Sequence, residues 1–300
     1  MKLGAIDIGS NAARLLIAEV SPVQGGDPDF TKVNLVRIPL RLGFDVFAQG
    51  LITEKREINL INTVKAFKLL LDIYEVKSFR ACATSAMRDA VNGADIISRV
   101  REETGVDIRI ISGSEEASLI YENHVAEQMD RTKSYLYVDV GGGSTELTLF
   151  SKSKLLFKTS FNIGTIRILQ NLVTDALWQE MKEYIKEQTM GCDPVIAIGS
   201  GGNINKIFSL SKRKEGKPLT LDLLKDYLKE MGSVSLEERI HLYRIREDRA
   251  DVIVPALQIY VSVMRWADAT EIYIPRIGLA DGLIHAQYQE ILAAGDVPVQ

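Results

Sequence analysis

Two short stretches of this chain join an acidic residue to a turn of small residues, and the pairing points to phosphate chemistry. Near the start, Asp7 is followed by Ile8, Gly9, Ser10, Asn11, Ala12, Ala13 and Arg14. Later, Asp139 is followed by Val140, Gly141, Gly142, Gly143, Ser144, Thr145 and Glu146. In register, Asp7 falls on Asp139, Gly9 on Gly141, Arg14 on Glu146 and Leu15 on Leu147. Glycines and small hydroxyl residues in such a turn let backbone N–H groups close around a phosphate, because no Cβ blocks the approach. A carboxylate beside each turn can hold Mg²⁺, which takes oxygen ligands from one or two acids and from substrate phosphates. A strand-end aspartate can also simply satisfy turn amides. For two matched copies the metal role of Asp7 and Asp139 is the better account. The duplication suggests a two-lobed protein gripping a phosphate chain from both sides.

Other residues fit the same chemistry with less specificity. In Ser112-Gly-Ser-Glu115-Glu116, Glu115 occupies a capping-box position and is expected to reach back to the Ser112 amide. Glu116 is directed differently and could deprotonate an attacking water; on spacing alone, a partner for the helix dipole is the simpler role. Arg14, Arg88 and Arg167 each follow a Gly, Ser or Thr turn, and guanidinium forks suit phosphate oxygens. The run Gly199-Ser200-Gly201-Gly202-Asn203 opens a helix whose N–H groups favour an anion or nucleotide; it can equally serve close strand–helix packing. His124, His241 and His285 share no ligand spacing, and neither a P-loop nor a Gly-x-Ser-x-Gly elbow occurs.

The elements needed to position these residues can be sketched from periodicity. Residues 1–20 read as paired strands around the first turn, 21–29 as a loop, and 32–39 as another strand. Ile61, Val64, Phe67 and Leu71 recur at helical spacing within 53–74. Short strands are expected at 79–84 and 106–111, the second leading into a helix from Ser112. From about Lys133 the strand–turn–strand plan repeats. Helices are expected over 174–188 and 220–231, another from Ser235 with Glu238 completing a capping box, and one from Ile204 after a strand at 194–199. The charge run at 212–217 reads as a solvated loop.

Length and composition set the frame. At 300 residues, two domains are expected, divided as 1–130 and 131–300. Hydrophobic content of 46% and charged content of 25% are ordinary for a globular protein. Cys82 and Cys192 lie far apart, without zinc or redox spacing. A signal peptide or membrane span is not evident, so a cytoplasmic protein without a membrane partner is expected. The net charge of −4 argues against nucleic acid as a partner. Oligomeric state is left open, a homodimer included.

Six ordered motifs resemble the exopolyphosphatase and guanosine pentaphosphate phosphohydrolase family, in the actin, Hsp70 and sugar-kinase superfamily. They begin at Asp7, Ala83, Ile111, Asp139, Arg249 and Gly278 and cover nearly the whole chain. The resemblance implies an α/β fold of two ribonuclease-H-like (actin-like ATPase) domains with a cleft between them. It implies a Mg²⁺-dependent hydrolase releasing terminal phosphate from inorganic polyphosphate or guanosine pentaphosphate (pppGpp), the latter tied to the stringent response. Glu116 is then the catalytic base. Asp139 and Glu146, with Asp7, surround the metal. Gly9, Ser10, Asn11, Arg14, Arg88, Gly141, Gly142, Gly143, Ser144 and Thr145 meet phosphate, and the 199–203 turn meets a nucleotide. Three departures stand out. Ala12 replaces a common serine, Asn203 replaces a common threonine, and the chain ends soon after Gly278-Leu-Ala-Asp-Gly. The C-terminal helical domains of longer members are therefore expected to be missing, which bears on long-chain processivity. A kinase of the same superfamily and a non-catalytic sensor of guanosine tetra- or pentaphosphate are the competing readings.

Overall fold

A computed structural model describes residues 1–21, 23, 28–121, 130, 132–152, 154–192 and 194–294. Most of the expected 21–29 loop, His124 and the expected domain boundary at residue 131 lie outside them. The chain divides into two compact units, Met1–Asn123 with Gly278–Gln300, and His124–Ile277.

In the first unit, strands β1 (Lys2–Ile8), β2 (Ala13–Ser21) and β3 (Asp29–Ile38) form an antiparallel meander. Helices α1 (Leu42–Gln49) and α2 (Glu54–Ile73) follow, then β4 (Ser78–Ala83), α3 (Ser85–Asp89), α4 (Gly93–Thr104), β5 (Ile108–Ile110) and α5 (Gly113–Tyr121). Strands β4 and β5 add parallel to β1, giving the order β3-β2-β1-β4-β5. The alternation of side chains along a strand sends Ile6, Ile8, Leu15 and Ile17 to one face, against Leu60, Val64 and Phe67 of α2. Leu3, Ala5, Leu16 and Cys82 turn to the other face.

The second unit repeats this plan. It contains β6 (Ser134–Val140), β7 (Thr145–Ser151), β8 (Lys154–Phe161), α6 (Thr165–Leu169), α7 (Asp175–Gln188), β9 (Val195–Ser200) and α8 (Gly202–Leu210). Next come β10 (Leu219–Thr220), α9 (Leu221–Ser233), α10 (Leu236–Tyr243), α11 (Glu247–Ala250), α12 (Ile253–Trp266) and β11 (Glu271–Tyr273). Its sheet runs β10-β11-β9-β6-β7-β8, with β6, β7 and β8 antiparallel and β9 parallel to β6. Even the irregularities recur. Register slips at Ile17/Ala18 between β2 and β3, and at Leu149/Phe150 between β7 and β8, the same distance along each copy. These are the two ribonuclease-H-like α/β units expected from the sequence.

Two differences from expectation have clear causes. The final helix α13 (Leu279–Ala293) belongs to the first unit, whereas a simple cut after residue 130 assigned it to the second. Its Leu279, Leu283, Ile284 and Tyr288 cover the sheet face bearing Leu3, Ala5 and Leu16, which would otherwise stand in water. Helix α12 was not foreseen. Most of its residues are apolar and buried, and only a narrow stripe of Gln258, Ser262 and Arg265 breaks the apolar run. Pro255 sits in its first turn, where a missing N–H costs nothing. Among the described residues, no helix is long and apolar enough to cross a membrane.

Candidate active site

The paired turns prove structurally equivalent. Gly9 N–H donates to the Ala12 carbonyl at 3.1 Å, and Gly141 N–H donates to the Ser144 carbonyl at 2.9 Å. Each turn thus joins the ends of two antiparallel strands and sets the residues flanking it directly opposite one another. Asp7 faces Arg14, and Asp139 faces Glu146. Side chains directly opposite on neighbouring strands share a face of the sheet.

The rows extend one strand further on each side. In the second unit the row is Ser200, Asp139, Glu146 and Ser160, across β9, β6, β7 and β8. Ser200 Oγ donates to Asp139 Oδ1 at 2.5 Å, and Ser160 Oγ donates to Glu146 Oε1 at 2.9 Å. Carboxylate oxygens of Asp139 and Glu146 lie within 4.8 Å of one another, although Glu146 is only 3% exposed. Like charges directly opposite repel, and the repulsion is larger where water is excluded. Two hard oxygen donors, each aimed by a serine, fit a divalent cation of the Mg²⁺ class.

In the first unit the equivalent row is Cys82, Asp7, Arg14 and Arg37, across β4, β1, β2 and β3. Arg14 Nη1 donates to Asp7 Oδ2 at 2.6 Å. The expected metal ligand Asp7 therefore differs from Asp139. Arginine, rather than a second acid, stands opposite it, and the row carries two guanidinium groups for one carboxylate. Burial, and then the charges of Asp7 and Glu116, push the Cys82 thiol well up, which makes it an inert packing residue here.

The glycine turn of the second unit has a defined polarity. Thr165 and Ile166 N–H donate to the Gly141 and Gly142 carbonyls at 3.0 and 2.9 Å, and Arg167 Nε donates to the Gly143 carbonyl at 2.8 Å. Helix α6 thus takes up three successive carbonyls from one side. A trans peptide directs its C=O and the following N–H to opposite sides, so the N–H groups of Gly142, Gly143 and Ser144 face away from α6. That is the polarity of an anion-binding nest. Gly164 makes the approach possible, since a Cβ there would lie 2.5 Å from Gly142 O. Arg167, read from sequence as a phosphate arginine, thus also braces the loop.

Several expected ligands have structural partners. Thr145 is fully buried and its hydroxyl donates to the Ile163 carbonyl at 2.6 Å. Ser10 Oγ lies 2.8 Å from Ser85 Oγ in a buried contact, and the Asn11 carbonyl accepts from Arg41 N–H. Arg88 Nη1 donates to the Ile111 carbonyl at 2.8 Å, tying α3 to the segment that leads into α5. At the start of α5, Ser112 Oγ caps the Glu115 amide at 3.1 Å as the spacing predicts. The Glu115 carboxylate goes instead to Arg109, at 2.5 Å. Glu116 follows, half-buried in the first turn.

The 199–203 turn is drawn to Asp139. Ser200 is bonded to that carboxylate, and Gly201, at φ 110°, would place a Cβ 3.2 Å from Asp139 Oδ1. Gly199 leaves room for Ile272, 2.8 Å from where its Cβ would lie. Gly202 and Asn203 begin α8. Three residues at these sites, Ser160, Arg37 and Tyr260, were not singled out from sequence. Tyr260 on α12 is fully buried, and its hydroxyl donates to the Ser200 carbonyl. Burial, and then the Asp139 charge, push its phenol well up. Only strand pairing or helix packing brings these three to the rows; the alternation along β8 was the one available signal for Ser160.

The sequence model of the Ppx/GppA phosphatase family matches residues 17–290. Exopolyphosphatase 1 of Mycobacterium tuberculosis is 26% identical over 304 aligned positions, covering 95% of this chain and 87% of that protein. The crystal structure of an exopolyphosphatase from Cytophaga hutchinsonii superposes with a TM-score of 0.81 at 24% identity, covering 97% of this chain and 98% of the other. A Ppx/GppA family member from Aquifex aeolicus gives 0.75 at 24% identity, covering 97% and 98%. The structural matches establish the fold.

Proposed function

This chain belongs to the Ppx/GppA phosphatase family, and from that premise we propose that it is an exopolyphosphatase. It releases the terminal phosphate of inorganic polyphosphate, with guanosine pentaphosphate as a second substrate of the same phosphoanhydride chemistry. The observation that carries this reading is the row in the second unit. There two opposed carboxylates, Asp139 and Glu146, are each braced by a serine and adjoin a loop whose N–H groups are turned outward. The name of the mycobacterial relative supports polyphosphate as the first substrate.

Asp139 and Glu146 would hold the metal. A bound Mg²⁺ supplies charge stabilisation at the transferring phosphoryl oxygens. The N–H groups of Gly142, Gly143 and Ser144 bind phosphate oxygens, as do the turn at Gly9, Ser10 and Asn11 and the guanidinium groups of Arg14, Arg37 and Arg88. Asp7 acts as the partner that fixes Arg14. Glu116 takes a proton from water as its oxygen attacks the terminal phosphorus. The P–O bond to the penultimate phosphate breaks, and the shortened chain leaves with that oxygen. The chain is read as a cytoplasmic enzyme.

Phosphate release from short polyphosphate, long polyphosphate and pppGpp with Mg²⁺ tests the proposal, with Glu116→Gln beside the parent. Release from polyphosphate that falls by about two orders of magnitude or more in the folded variant is expected for loss of a general base. Full activity of Glu116→Gln would remove Glu116 from the mechanism, and no release from any substrate would remove the hydrolase reading.

A further inference from the structure

We propose that Tyr260 and Ser200 are positioning residues for the divalent cation, acting through the Asp139 carboxylate. The proposal rests on the reading that Asp139 and Glu146 hold that cation. Strands β6 and β9 pair as far as Asp139 and Ser200, where the regular ladder stops. At that end the fully buried Tyr260 joins them. Its hydroxyl donates to the Ser200 carbonyl. Ser200 Oγ then donates to Asp139 Oδ1. Gly201, at φ 110°, lets the peptide pass close to both Asp139 and the Tyr260 hydroxyl. Tyrosine on one helix thus fixes the peptide that carries the serine, and the serine fixes the rotation of the acid. Such partners of metal-binding side chains typically change metal affinity about 10- to 100-fold when removed.

Mg²⁺ titration of the full chain by calorimetry tests this, with Tyr260→Phe, Ser200→Ala, the double variant and Val263→Ala. Val263 is buried on the same helix, so Val263→Ala reports destabilisation alone. Ser200→Ala is expected to weaken Mg²⁺ binding roughly tenfold, and Tyr260→Phe at least threefold, about half of that effect in logarithmic terms. In the double variant the loss is expected to match Ser200→Ala alone, because both act on one carboxylate. Unchanged Mg²⁺ affinity in the single variants would overturn the proposal, as would an equal loss in Val263→Ala or fully multiplicative losses in the double variant. A parent protein that binds no Mg²⁺ would overturn the metal assignment itself, and this proposal with it.

Discussion

Gly164 offers a direct way to move the glycine loop without touching any group that meets substrate. Its backbone, at φ −137°, suits any residue, so Gly164→Ala introduces a clash and no conformational strain. The new Cβ would lie 2.5 Å from the Gly142 carbonyl carbon and its oxygen, and closer still to the Gly143 carbonyl carbon. Ordinary contact begins near 3.4 Å, so loop and helix must separate by about 1 Å. Overpacking of this kind costs about 1–3 kcal/mol. For a unit of about 150 residues that lowers Tm by roughly 3–10 °C. A 1 Å displacement of a positioning group can lower turnover by about 100-fold. Gly232→Ala is the control, because nothing lies within 4 Å of its Cβ position on α9; it should leave both quantities unchanged or raise Tm slightly. Scanning calorimetry and phosphate release from polyphosphate report the two effects. Near-parental turnover in Gly164→Ala, with the expected fall in Tm, would refute the argument that the close approach of α6 sets the loop for catalysis.

The opposed carboxylates and the returning helix give two more predictions. Glu146→Gln removes one of two like charges on facing strands, so without metal its Tm should equal or exceed the parental value, while the rise in Tm that Mg²⁺ produces in the parent should vanish; thermal melts with and without Mg²⁺ check both halves. Gly282→Ala on α13 would drive its Cβ into the Leu119 carbonyl of α5. It should lower Tm by several degrees and raise hydrogen exchange in both helices, since they pack in one unit; unchanged exchange in α5 would contradict that packing.

Legibility differed from element to element. Both turns and their alignment were readable because small residues after a strand-end acid mark a backbone requirement that local sequence must satisfy. Helix α2 was readable from its apolar period, and the Ser235 capping box from its spacing, confirmed by reciprocal bonds between Ser235 and Glu238. Helices α1, α3 and α4 were not foreseen, and in α12 the polar stripe of Gln258, Ser262 and Arg265 is narrow within a mostly apolar run. Glu115 occupied a capping-box position yet pairs with Arg109, an alternative partner supplied by β5.

Sequence by itself determined the duplication, the α/β class and the residue types at each turn, because these are written in local spacing. Tertiary structure decided what each polar group is used for. Thr145 and Ser10 carry the right hydroxyls for phosphate, but their buried contacts are with Ile163 and Ser85. Asp7 and Asp139 look alike along the chain, and the strand opposite separates them by placing Arg14 against one and Glu146 against the other. Ser160, Ser200 and Tyr260 come from distant segments, and only sheet register and helix packing bring them to the two acids. The reason is physical. Hydrogen-bond partners of a buried group are set by which strands and helices fold beside it, and that information is distributed over the whole chain.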